Sequence, residues 1–311
     1  DYNRAGVALA EIVSKPDLRN GREAAEYASE IRRIMRYLGV SDGNMQEGSL
    51  RCDVNISVRR GPDAPFGTKV EIKNMNSFSA IQKACEYEIQ RQIKAYESGE
   101  PIVQETRLWD ESKQLTKSMR SKEGASDYRY FPDPDLGPIE VSVDQREAWR
   151  SELPELPSAK RHRYADALGL SQYDARVLTD ERAMAQYFET VVEGGADAKL
   201  SANWITGDIA AYVNSNRLNF SELAFRPEQL AEMIKLIDGG KISGKIAKEI
   251  LPELLEKGGS PKAIVDERGL GMISDPAAIT AIVEELLAAH PDEVEAFRGG
   301  KNKLQGFFVG Q

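Results

Sequence analysis

Two segments of strict alternation constrain this chain more than anything else in it: Arg51-Cys52-Asp53-Val54-Asn55-Ile56-Ser57-Val58 and Thr68-Lys69-Val70-Glu71-Ile72-Lys73-Asn74. Side chains point to opposite sides along a strand, so Cys52, Val54, Ile56 and Val58 share one face and Arg51, Asp53, Asn55 and Ser57 the other. In the second segment Val70 and Ile72 oppose Lys69, Glu71 and Lys73. The connection between them, Arg60 to Gly67, is rich in turn formers, which predicts a hairpin. If the two polar faces coincide, two carboxylates sit among Arg, Lys and Asn side chains. That inventory suits Mg²⁺ with a polyphosphate, since Mg²⁺ takes one or two carboxylates and completes its shell with phosphate oxygens and water. A half-solvated sheet with ordinary surface charges accounts for the same spacing.

Composition narrows the class. Hydrophobic residues make up 41% and charged residues 29% of the 311, a balance that supports real cores in a globular chain. No run approaches the ~18 apolar residues of a membrane span and no signal-peptide pattern opens the chain, so the expected compartment is the cytoplasm. The net charge of −9 argues against a general nucleic-acid coat, and most of the acidic excess falls after residue 150. Any RNA contact must then be local: Lys160, Arg161 and Arg163 form one basic cluster, and Lys241, Lys245 and Lys248 another. A solvated helix face reads the same way. The two histidines, His162 and His290, sit in no nucleophile–base arrangement, and with Cys52 and Cys85 they are too scattered for a structural zinc site. Both cysteines read as small core residues.

Along the chain the pattern is α+β, then all-α. Gly6 to Ser14 reads as a strand. Asn20 caps a helix with Ala24, Tyr27, Ala28, Ile31, Ile34, Met35 and Leu38 inward, closed by Gly39. Ser77 caps a second, with Ile81, Cys85, Ile89 and Ile93 inward. Gln104 to Thr116 and Ile139 to Val143 read as further strands, separated by a polar, aromatic-bearing loop from Ser118 to Leu136. Pro154 and Pro157 mark a linker. Helices capped by Ser158, Thr179 and Ser201 follow, then shorter ones opening at Ser243 and at Asp275-Pro276.

Four blocks in order carry a family resemblance: Asp1 to Val7 with Glu11-Ile12-Val13-Ser14; Gln46 to Asn55; Lys69 to Phe78; and Asp127 to Leu136. They resemble the GatB family, the tRNA-handling subunits of aspartyl/glutamyl-tRNA amidotransferases. The resemblance implies a mixed or antiparallel-sheet cradle domain, incomplete at its N-terminus, over residues 1–150. It further implies a helical tRNA-binding domain over 151–265 and the truncated start of a small helical tail domain over 266–311. The compact passage from Val143 through Pro157 leaves no space for the domain that archaeal relatives insert, so the bacterial type is expected. The implied activity is ATP-dependent transamidation of misacylated Glu-tRNA(Gln) or Asp-tRNA(Asn), with ATP and Mg²⁺ as cofactors. Implied partners are an amidase, which supplies ammonia, a small third protein that completes a heterotrimer, and the tRNA. Within that frame Asp53 and Glu71 are assigned to Mg²⁺ and Arg51 and Lys73 to phosphate oxygens. Asn55, Asn74 and, more remotely, Glu11 are assigned to ligand positioning, and the two basic clusters to tRNA. The aromatic loop becomes a wall of the cavity. A noncatalytic tRNA-binding protein on the same scaffold, or a small-molecule carboxylate–amine ligase, are the alternatives. A helical arm with basic spots gives the latter no advantage.

Overall fold

The computed structural model describes residues 9–121, 137–271 and 276–311. The chain is α+β and divides into two compact units, residues 1–157 and 158–311. Among the described residues no helix is long and apolar enough to cross a membrane.

Of the strand expected over Gly6–Ser14, the described residues 9–14 have no regular structure, and Leu9, Ile12 and Val13 are exposed. Residues 1–8 lie outside the described residues. Helix α1 (Gly21–Leu38) is capped by Asn20, whose Oδ1 accepts from the Glu23 amide at 2.9 Å while its Nδ2 donates to the Glu23 carboxylate. Gly39 ends it in the left-handed region at φ 68°. The buried stripe is Ala24, Ala25 and Ala28, with Tyr37; Tyr27, Ile31, Ile34, Met35 and Leu38 do not share it fully. The small stripe has a reason, since α1 approaches α2 (Phe78–Ser98) closely enough that a Cβ on Gly21 would lie 2.4 Å from the Gln82 carbonyl. Ser77 caps α2 through the Ala80 amide, and Gly99 closes it.

Four strands form a mixed sheet in the order β1 (Val54–Ile56), β2 (Val70–Lys73), β3 (Glu105–Asp110), β4 (Leu115–Ser121). The predicted hairpin is present: β1 and β2 are antiparallel with Asn55 opposite Glu71. The β2–β3 pair is parallel, as a crossover through α2 allows, and β3–β4 is antiparallel. The stretch expected as a single strand from Gln104 to Thr116 therefore folds back on itself at residues 111–114, where Gln114 takes φ 53°. Val70, Ile72, Ile56 and Trp109 are buried, and Ile56, Ile72 and Trp109 share a core with Ile81, Ala84 and Cys85 of α2. The strand expected over Ile139–Val143 is not formed. Ser142 instead makes a capping box with Gln145 that starts helix α3 (Val143–Glu152), and Ile139 is 91% exposed. Alternation alone makes no strand without an edge to pair with. Of the expected loop, residues 118–121 belong to β4 and 122–136 lie outside the described residues.

The second unit is wholly helical among the described residues. It runs α4 (Pro157–Asp166), α5 (Gln172–Leu178), α6 (Arg182–Glu193), α7 (Ala198–Trp204), α8 (Ala210–Asn216), α9 (Pro227–Asp238), α10 (Gly244–Lys257), α11 (Pro261–Arg268), α12 (Pro276–Ala289), α13 (Pro291–Arg298) and α14 (Leu304–Gly310). Three caps differ from expectation. Helix α4 begins at Pro157, whose fixed φ suits a first helical position, so Ser158 lies inside it. Thr179 closes α5 with its hydroxyl on the Ala175 carbonyl rather than opening α6. Asp197, not Ser201, caps α7 by accepting from the Leu200 amide. Ser243 does cap α10. Between α7 and α8 one π-helical turn, Ile205–Ile209, keeps Trp204, Ile205, Ile209 and Val213 turned into a core shared with Phe188, Phe225, Leu230 and Ile250. Helix α12 keeps Ile279, Ile282, Val283 and Leu287 partly exposed, and Asp275 lies outside the described residues.

Candidate functional site

The register of β1 and β2 builds the site. Extending the Asn55–Glu71 pairing by two residues sets Asp53 opposite Lys73 on the same face, away from α2. The Lys73 ammonium donates to Asp53 Oδ2 at 2.7 Å and lies 3.3 Å from Glu71 Oε1. Arg51, its side chain 73% exposed, reaches the same Asp53 oxygen at 3.6 Å. On β3, Thr106 stands beside Glu71 in parallel register, and its fully buried hydroxyl donates to Glu71 Oε2 at 2.8 Å. Burial works against the charge of Lys73, but hydrogen bonds and charge from Asp53 and Glu71 outweigh it and hold its pKa above the usual lysine value. Asp53 Oδ1 is different: it is buried and receives no hydrogen bond from the described residues.

Asn55 is exposed on this face beside Glu71. Asn74 is turned elsewhere. In a left-handed conformation at φ 69°, it donates its side-chain amide to the Trp109 carbonyl and shapes the end of β2. Glu11 lies in the exposed N-terminal stretch, with no contact to the face among the described residues.

Under the sheet, sequence reasoning missed a second polar assembly. Glu88, 0% exposed on α2, receives both the Nε and Nη2 of Arg91, at 2.9 and 2.6 Å. It also accepts from Gln92 and from the Thr116 hydroxyl, with Arg107 at 3.6 Å. Gln92 in turn donates to the Ile56 carbonyl and accepts from the Val58 amide. This assembly ties α2 to β1 and β4, and so holds the strand that Asp53 immediately precedes. The only signal was Glu88 and Gln92 at helical spacing inside the apolar stripe. The thiols lie on this buried side; burial pushes Cys52 up to about 11, helped by the Asp53 charge, and Cys85 up to about 12.

The basic clusters fare unequally. Lys160 is 9% exposed, with Nζ 2.6 Å from Glu189, which also pairs with Arg163. Arg161 is half-buried and Arg163 lies over the Tyr164 ring. The cluster expected to be an RNA-facing patch is thus partly folded into its own unit, because Glu189 on α6 draws it in. Lys241, Lys245 and Lys248 are all exposed; Lys248 lies 3.4 Å from Asp208 and 5.9 Å from the Trp204 ring centre.

Among the described residues no three His, Cys, Asp or Glu side chains converge to hold a metal ion. Among the described residues, a metal on this face would draw two carboxylates, Asp53 and Glu71, with the orphaned Asp53 Oδ1 as an available lone-pair donor. Such a set fits Mg²⁺ completed by phosphate and water rather than a closed protein cage.

The sequence that builds this mixed sheet and the helical second unit matches known families along most of the chain. Residues 1–147 match the GatB/GatE catalytic domain and residues 186–311 the GatB domain. The chain belongs to the GatB family. Over all 311 residues it is 93% identical to the GatB component of the aspartyl/glutamyl-tRNA(Asn/Gln) amidotransferase of Parasynechococcus marenigrum. It is 91% identical to that of a Synechococcus species and 87% to one from Prochlorococcus marinus. It spans 63% of the length of each of these relatives.

Proposed function

We propose that this chain carries the ATP-dependent step of a tRNA-directed transamidation. In it the side-chain carboxylate of misacylated Glu-tRNA(Gln) or Asp-tRNA(Asn) is phosphorylated, and ammonia then displaces phosphate to leave the amide. The observation that carries this reading is the meeting of Asp53, Glu71, Lys73 and Arg51 on one open sheet face. A carboxylate resists ammonia until one of its oxygens becomes a phosphate leaving group. Moving a phosphoryl group calls for positioning and charge neutralisation more than for a protein nucleophile.

Asp53 and Glu71 would hold Mg²⁺, which when bound supplies positive charge against the transferring phosphoryl group. Arg51 is exposed and loosely held, so its guanidinium can turn from Asp53 to a phosphate oxygen, and Lys73 meets a second one. Thr106 holds the Glu71 carboxylate by its far oxygen, and Asn55 orients the ligand beside it. Ammonia comes from a separate amidase, with a small third protein completing a heterotrimer. Residues 151–265 serve as the tRNA-binding domain, chiefly through Lys241, Lys245 and Lys248 with a lesser part for Arg163. Residues 266–311 begin a tail domain.

In the complete complex, Asp53→Ala or Glu71→Ala should lower amidation by ~10²-fold or more, the scale of losing one electrostatic stabiliser of the transition state. Glutamine hydrolysis by the amidase should persist. Near-normal amidation in both variants would overturn the assignment.

A further inference from the structure

The position that two carboxylates would offer a bridging cation is held by the chain's own ammonium. Lys73 Nζ donates to Asp53 Oδ2 at 2.7 Å and sits 3.3 Å from Glu71 Oε1, so both inward-facing carboxylate oxygens converge on it. A divalent ion ligated by the same two oxygens would stand where the nitrogen stands. Even displaced by about 3 Å, charges of +1 and +2 at an effective dielectric of roughly 20 disfavour joint occupancy by orders of magnitude. The ammonium must therefore give way before a metal ion can take both oxygens. It needs another anion to move to.

We propose that Lys73 is an internal surrogate for the divalent ion: it closes the carboxylate pair until a polyphosphate draws the ammonium away, so that metal and nucleotide enter together. This rests on the assignment of Asp53 and Glu71 to the metal and adds an order to it. Phosphate oxygens attract Lys73 and simultaneously supply the ligands that two carboxylates cannot. The arrangement keeps the carboxylates neutralised before the nucleotide arrives and makes a metal ion without nucleotide a poor ligand. Binding is then coupled, each ligand raising the affinity of the other by the same factor.

The test is Mn²⁺ binding to the complete complex without nucleotide, followed by electron paramagnetic resonance. Wild-type protein should bind weakly at this site. Lys73→Met removes the charge while keeping an unbranched chain, and should tighten Mn²⁺ by about tenfold or more, since the competing cation is gone. Lys73→Arg keeps the charge and should stay weak. Unchanged or weaker binding in Lys73→Met overturns the proposal. If that variant fails to assemble, Lys73→Gln carries the same comparison with the same two outcomes. Adding Asp53→Asn to Lys73→Met separates the two claims. Loss of the gained binding supports both, whereas a gain that survives Asp53→Asn places the ion elsewhere and overturns the metal assignment itself.

Discussion

At the scale of single residues, the side chain that decides most is Glu88, which lies beneath the sheet and away from the open face. It is a carboxylate with no solvent access, satisfied by Arg91, Gln92, Thr116 and Arg107. Breaking a buried ion pair strands the remaining charges, so Glu88→Ala should cost about 3–5 kcal/mol. Denaturant unfolding of the purified protein would read this, and a cost under about 1 kcal/mol, the range of an exposed pair, would contradict it. A second expectation concerns the thiols. With its pKa pushed up to about 12 by burial, Cys85 should stay protonated and unalkylated at pH 8 in the native protein, and react once the protein is unfolded. Both raised thiol pKa values also set a sign for stability. The protonated thiol of Cys52 is favoured in the folded chain, so its contribution is intact below pH 9 and is lost as pH rises toward about 11. The polar face of Asp53, Asn55, Glu71 and Lys73 was legible from period-two spacing, because one strand alone decides which side a residue takes. Glu88 was not, since its partners include residues of β3 and β4 and no local pattern announces them. Asn74 departs from the shared face for a related reason: a left-handed backbone turns its amide to Trp109.

At the scale of elements, helices α1, α2 and α10 were legible because Asn20, Ser77 and Ser243 cap them by local hydrogen bonds. Asn20→Ala removes that acceptor and should cost about 1 kcal/mol, measurable as a lowered unfolding midpoint. An unchanged midpoint would mean that packing of α1 on α2 alone sets its start. The failures share a cause. Residues 139–143 alternate as strands do and residues 9–14 belong to an apolar run, yet strand formation needs an edge to pair with, and β1 and β4 pair with neither segment among the described residues. Thr179 and Ser201 are good cap residues that the chain uses differently, because Asp197 and the turn after α5 take precedence. Sequence can nominate caps; the packing of neighbouring helices selects among them.

At the scale of the whole molecule, the proposed function asks a chain of net charge −9 to meet an acidic polymer. The exposed lysines of the helical unit are the natural place, and replacing Lys241, Lys245 and Lys248 together by Ala should raise KM for tRNA with little change in kcat. Each lost phosphate contact should also flatten the salt dependence of tRNA affinity by about one unit of slope. Lys248, held by Asp208 and Trp204, should contribute least. In the proposed function the open face couples ATP to the misacylated end of tRNA. That coupling is tested most directly by ATP hydrolysis in the reconstituted complex, with misacylated tRNA present or absent, for wild-type protein and Asp53→Ala. Hydrolysis should rise with misacylated tRNA in the wild type and stay near background in the variant. Equal, tRNA-stimulated hydrolysis in both would contradict it.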